Sequence, residues 1–233
     1  MAERIKVGIV DSGFSAQMVG AERVIDAQGF TLEDGALQQV TAIDDQLGHG
    51  SSILEVINSQ APEAEIAVAQ VFRERLTTTA LQVAAAIEWL VEQQVDLINL
   101  SLGLRNDREP LRLACEAAID CGIVVCASTP ARGDPVYPAA YPGVFRMTGD
   151  ARCEPDQISC LKTRYADFGG YVKARNGVVG ASAGCAHLTG HIARYLSEGG
   201  DPASELIDRW LEQQAIFFGA EVRFPERQME PGQ

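Results

Sequence analysis

Three separate stretches of the chain carry side chains suited to nucleophilic chemistry. Ser182 stands in Val179-Gly180-Ala181-Ser182-Ala183-Gly184-Cys185-Ala186-His187-Leu188-Thr189-Gly190, where small residues surround one serine and lead without a breaker into the helix-permitting run 192–196. Small neighbours let the backbone turn sharply, and a helix N-terminus offers unpaired N–H groups with a positive partial charge. A serine there can attack a carbonyl, because the oxyanion that forms sits against those donors. His49 lies between glycines in Asp44-Asp45-Gln46-Leu47-Gly48-His49-Gly50-Ser51-Ser52, ahead of a short helix-compatible run, 53–57. Asp11 closes the apolar run 5–10 and opens an Asp11-Ser12-Gly13 turn, the position beyond a strand's carboxyl end where functional groups of parallel sheets collect. Each feature alone has a plain alternative: a packing turn with a capping serine, an incidental loop histidine, a turn aspartate. A phosphate cradle is set aside, since neither a nucleotide-loop lysine nor a complete Gly-x-Gly-x-x-Gly is present.

The elements that must position these residues alternate along the chain. Apolar runs at 5–10, 65–72, 95–100, 122–127 and 143–148 predict strands, and 171–174 a further short one. Apolar residues at helical spacing predict helices over 80–94 and 110–120, with a last helix over 201–214. Residues 20–42 hold only short alternating pieces, and 149–164 reads as a polar loop. Strands alternating with helices indicate an α/β fold, a doubly wound and mostly parallel sheet flanked by helices. One domain over 1–218 is expected, followed by a partly loose tail, 219–233, rich in proline and glycine near its end.

Composition narrows the function classes. With 233 residues, 46% of them hydrophobic and 22% charged, the chain suits a soluble globular domain with a sizeable core. A net charge of −13 argues against non-specific binding to nucleic acid or an anionic membrane, so neither is an expected partner; it favours solubility or a basic peptide partner. No run approaches the roughly 18 apolar residues of a membrane span, and the first ten residues lack a signal-peptide pattern. Six cysteines without a C-x-x-C pair predict free thiols and a cytoplasmic location, with Cys153 and Cys160 the pair that could bridge across a polar loop.

The chain order Asp, His, Ser, with separations of 38 and 133 residues, matches the subtilisin arrangement of convergent triad chemistry. The sequence resembles the subtilisin-like serine peptidases. Ile9-Val10-Asp11-Ser12-Gly13 is similar to the family's aspartate motif, Gly48-His49-Gly50-Ser51 to its histidine motif, and Gly180-Ala181-Ser182-Ala183 to its nucleophile motif. The stretch from Ala85 through Asp96-Leu97-Ile98-Asn99-Leu100-Ser101-Leu102-Gly103 resembles the helix and substrate-binding strand. Tyr137-Pro138-Ala139-Ala140-Tyr141-Pro142-Gly143-Val144 resembles the segment after the oxyanion loop. The resemblance spans about residues 5 to 197.

That resemblance implies Ser182 as nucleophile, His49 as general base and acid, and Asp11 as the residue that orients the imidazole. It also implies the Ser182 backbone N–H as one oxyanion donor, and Ser101, Leu102 and Gly103 as the strand to which a peptide adds. The family's oxyanion asparagine is missing from Ala127-Ser128-Thr129-Pro130-Ala131-Arg132, which leaves Ser128 and Thr129 as replacements. Ala186 stands where the family has proline, and His187 and His191 are expected to be structural. No metal and no cofactor is expected. Loops 105–109 and 131–137 are expected to wall the substrate pocket. A first strand so close to Met1 leaves no room for a folding propeptide, and the compact chain suggests an intracellular peptidase that removes a leader segment during maturation. Its partner would be a peptide or protein substrate, a precursor subunit together with its modifying enzyme. The competing expectation is a catalytically weak or inactive member that binds and escorts a peptide.

Overall fold

Side-chain alternation along the strands sorts the molecule into layers. The computed structural model describes residues 4–221. In β1 (Lys6–Asp11), Val7 and Ile9 join one half of the core and Val10 the other. Gly8 faces the second half, where Leu90 sits so close that a Cβ would meet its methyl at 2.8 Å. The same alternation, period 2, recurs in β4 (Glu65–Gln70), β5 (Leu97–Leu100) and β6 (Val124–Ser128). Strands buried on both faces belong to a sheet covered on both sides. α1 (His49–Gln60), α4 (Ala181–Ser197) and α5 (Ser204–Gln214) cover one face, and α2 (Ala80–Glu92) and α3 (Glu109–Asp120) the other.

The remaining strands are β2 (Val24–Glu33), β3 (Ala36–Thr41), β7 (Phe145–Asp150), β8 (Ile158–Cys160), β9 (Phe168–Tyr171) and β10 (Ala215–Phe218). All ten form one sheet in the order β10-β8-β9-β7-β6-β5-β1-β4-β2-β3. Every pairing is parallel except β2 with β3 and β8 with β9. This is the doubly wound, mostly parallel α/β architecture read from the sequence.

Several elements differ from expectation. The strand expected at 171–174 is β9, three residues earlier, where Gly169 and Gly170 disguise it. A Cβ on Gly170 would meet the Gly184 carbonyl oxygen at 2.7 Å, and one on Gly169 the Asp150 Cβ at 2.9 Å, so close packing there requires glycine. The polar loop 149–164 contains β8, and 20–42 forms the β2–β3 hairpin. β10, directly after the last helix, is an element with no counterpart among the expected strands. The last helix begins at Ser204, after Asp201 and Pro202. Of the expected tail, residues 222–233 lie outside the described residues. Gly219 is tied to the sheet edge through N–H donation to the Cys160 carbonyl (2.9 Å) and acceptance from Arg152 Nη2 (2.7 Å). All six cysteines are free thiols, and only Cys121 is exposed.

Candidate active site

Asp11, His49 and Ser182 occupy the ends of three different elements. Asp11 is the last residue of β1, fully buried, paired in register with Gln70 of β4. His49 is the first residue of α1, preceded by Gly48 at φ 72°, a left-handed conformation that costs glycine nothing. Ser182 is the second residue of α4, after Gly180 at φ 80°. Two further glycines allow the serine turn to seat. A side chain on Gly184 would run into the Thr148 carbonyl at the end of β7, and one on Gly149 would meet the Gly180 carbonyl at 2.5 Å.

Nδ1 of His49 lies 2.7 Å from Oδ1 of Asp11, which also accepts the Ser12 N–H at 2.7 Å. Burial by itself would depress the His49 pKa; the hydrogen bond to Asp11 and the charges of Asp11 and Asp45 outweigh it, and the pKa is raised above the ordinary imidazole value. His49 and Ser182 line one cavity of about 360 Å3. The Ser182 hydroxyl donates to the Ser101 carbonyl at 3.1 Å, and the Ser101 hydroxyl donates back to the Ser182 carbonyl at 3.2 Å.

This reciprocal pair belongs to a buried network that sequence reasoning did not single out. Asn99 Nδ2 donates to Ser101 Oγ at 3.0 Å, while Asn99 Oδ1 accepts from Thr189 Oγ1 at 3.0 Å and from the Cys185 thiol at 3.4 Å. Asn99 and Thr189 are fully buried. The network therefore fixes the first three turns of α4 against the end of β5. An asparagine in an otherwise apolar strand was the available signal, since a buried amide demands partners.

Ser101, Leu102 and Gly103 line the same cavity, together with Phe72, Leu76, Thr77 and Thr78. Leu104 pairs with Tyr137 through reciprocal backbone bonds of 2.7 and 2.8 Å, an isolated antiparallel bridge at the end of the 101–104 segment beside the cavity. The two oxyanion candidates part company. Ser128 lines the cavity and donates to the Leu102 carbonyl at 3.3 Å, whereas Thr129 lines a neighbouring cavity of about 340 Å3 with Val136, Arg146 and Tyr165. Loop 105–109 contributes nothing to the lining of the cavity shared by His49 and Ser182; residues 133–136 wall the neighbouring one. N–H groups in the first turn of a helix, Ser182 among them, lack intrahelical partners and remain available to an anion. His187 and His191 are buried along α4, His187 with Nε2 3.1 Å from the Lys173 carbonyl. Among the described residues, no group of three or more His, Cys, Asp or Glu side chains is arranged to hold a metal.

Comparison with known proteins follows the same lines. A sequence model of the subtilase family matches residues 2–148, a span containing Asp11 and His49 and ending before Ser182. A subtilisin-like protease of Podospora anserina, het-Q2, is 36% identical over 149 residues, 60% of this chain and 39% of that protein. The major intracellular serine protease of Bacillus subtilis is 29% identical over 163 residues, 62% of this chain and 50% of that protein. The chain thus spans half or less of these relatives' lengths. The solved structure of a lanthipeptide protease superposes with a TM-score of 0.67 at 19% identity, covering 91% of this chain and 80% of that one. That likeness concerns the fold.

Proposed function

We propose, because the chain belongs to the subtilase family, that it is a serine endopeptidase in which Asp11, His49 and Ser182 form the catalytic triad. The observation that carries this reading is the 2.7 Å contact between His49 Nδ1 and the fully buried Asp11 carboxylate, beside a cavity shared with Ser182. Asp11 holds the tautomer with its proton on Nδ1, leaving Nε2 free to accept. The reaction begins when the Ser182 hydroxyl turns from the Ser101 carbonyl to His49 Nε2. Hydrogen bonds of this kind tighten only once substrate is bound. Oγ then attacks the scissile carbonyl carbon, the proton passes to His49, and the negative oxygen forms against the N–H groups at the start of α4. His49 returns its proton to the leaving amine, an acyl-enzyme remains, and water releases it by the same sequence of steps. The peptide adds as a strand along Ser101, Leu102 and Gly103, where main-chain hydrogen bonds supply affinity.

The substrate in this reading is a precursor peptide or subunit, and the reaction removes its leader segment in the cytoplasm, in company with the enzyme that modifies the precursor. The notion draws on resemblance to the maturation peptidase of quinohemoprotein amine dehydrogenase, on the fold likeness to a lanthipeptide protease, and on a relative named as an intracellular protease. Among the described residues, no helix is long and apolar enough to cross a membrane.

Fluorophosphonate labelling tests the chemistry. The wild-type protein should label at Ser182, the Ser182→Ala variant not at all, and His49→Ala at least about 10³-fold more slowly. Folded wild-type protein that takes no label, yet binds an extended peptide, would establish the escort role instead.

A further inference from the structure

We propose that Asp45 is the positioning residue for His49: its carboxylate supplies the helix cap that Gly48 cannot, and it welds the turn before α1 to the turn after Asp11. The proposal rests on the reading of His49 as the general base. Its starting point is a deficit at the start of α1. The N-cap residue is a glycine, so no side chain from that position reaches the N–H groups of the first turn. Two residues from elsewhere take them. Ser12 Oγ accepts the Gly50 N–H at 2.8 Å, and Asp45 Oδ2 accepts the Ser51 N–H at 2.9 Å.

Asp45 does more than cap. Oδ2 also accepts the Ser51 hydroxyl at 2.7 Å, while Oδ1 accepts the N–H groups of Leu47 (3.0 Å) and Gly48 (2.9 Å) and the Ser12 hydroxyl (2.9 Å). Five donors thus converge on one carboxylate that is 9% exposed. Ser12 joins the two carboxylates of the site, giving its N–H to Asp11 and its hydroxyl to Asp45. Ser51 Oγ in turn accepts the Ser15 N–H at 3.1 Å, closing the seam between the two turns. There is no slack at this seam, since a side chain on Gly50 would run into the Gly13 carbonyl. The position of the imidazole against Asp11 follows from these bonds.

The charge matters as well as the bonds. Burial pushes the Asp45 carboxyl up, but hydrogen bonds from Ser51, Ser12 and Gly48 hold it below the ordinary carboxylate range, so it is ionised wherever a histidine base works. A histidine in the first turn of a helix faces the positive end of the helix dipole, which opposes its protonation. Asp45 offsets that field. The charged groups that bear on His49 are Asp11 from β1 and Asp45 from the 42–48 loop. α4 brings Ser182 to the cavity that His49 lines, and its buried imidazoles, His187 and His191, have pKa values lowered from the ordinary range.

The test is an NMR titration of His49 in the Ser182→Ala protein, with and without Asp45→Asn, since the chain has three histidines. Asparagine keeps the shape and removes the charge. The His49 pKa should fall by about one unit, while those of His187 and His191 stay in place. In protein retaining Ser182, labelling should slow about tenfold and its pH midpoint should move with the NMR value. A purely structural role would reduce the folded fraction and leave the midpoint alone. If Asp45→Asn does not fold, Asp45→Ser, which also removes the charge while keeping an oxygen to accept the first-turn N–H groups, should show the same shift. An unchanged His49 pKa in whichever of these variants folds overturns the proposal. A shifted pKa in protein that never labels at Ser182 would sink the peptidase reading and leave the role of Asp45 standing.

Discussion

Acid should loosen α4, the helix that carries Ser182, and His191 is the reason. Its side chain is fully buried on α4, and its pKa is pushed down to about 4, first by burial and then by the charge of Arg194 and the neighbouring His187. An imidazole in the unfolded chain takes its proton near 6.5, so below that pH the unfolded state is the better proton acceptor. Stability is therefore intact above about pH 6.5 and drains away as the pH falls toward 4. At roughly 1.4 kcal/mol per pH unit, the full loss is roughly 3 kcal/mol, of which about 2 kcal/mol falls between pH 7 and pH 5. For a domain of this size, that corresponds to a drop in Tm of roughly 4–8 °C. The assay is thermal unfolding of Ser182→Ala protein, which lacks the proposed nucleophile, at both pH values, with and without His191→Gln. Glutamine does not titrate, so the variant should lose less of its Tm on acidification by about that margin. The carboxyls of Asp45 and Asp150, held below the ordinary range, act equally in both proteins and matter only at lower pH. Equal losses in the two proteins would refute the reasoning.

Two further outcomes are expected. Ser128→Ala should lower kcat by about 10²-fold with little change in KM, the cost of one oxyanion donor, whereas Thr129→Ala, whose side chain faces the neighbouring cavity, should leave kcat within about threefold of wild type. The reverse pattern in steady-state peptide hydrolysis would assign the donor to Thr129. Gly184→Ala places a methyl against the Thr148 carbonyl, so denaturant unfolding should show a loss of about 1–3 kcal/mol and labelling of Ser182 should slow at least about tenfold; wild-type values in both would mean that the turn has room to spare.

The parts of this fold most legible in the sequence are those with one dominant physical cause. β1, β4, β5 and β6 are apolar on both faces because both faces are covered, and their runs stand out within a residue or two of the observed limits. α2 is visible because its buried side recurs at helical spacing, and its capping box at Thr79 and Gln82 agrees with a start at Ala80. β9 lies three residues before the expected run because Gly170 answers to α4 and Gly169 to Ser159 and Asp150 of the neighbouring strands, tertiary causes with no local signature. β8 and β10, of three and four residues, are too short to show a period. At the site, Asp11, His49 and Ser182 were legible through their neighbours: each is flanked by glycine or small residues where backbones pass closely. Asn99 and Asp45 were not, because a polar side chain announces nothing about its partners until the fold brings Thr189 or Ser12 to it. The choice between Ser128 and Thr129 depended on which way consecutive residues point at the end of a strand.

The wide spacing of Asp11, His49 and Ser182 has a bearing on how the chain comes into being. During synthesis, the first carboxylate and the imidazole emerge early and can meet through a loop of 38 residues. The hydroxyl arrives 133 residues after the imidazole, and it finds its place only when β5 and β7 are ready to receive the first turns of α4. Until then, on the proposed roles, the growing polypeptide holds a base with nothing to activate. In the proposed triad, hydrolysis waits for the arrival of Ser182, and a chain that has not yet placed α4 is silent toward itself and its neighbours.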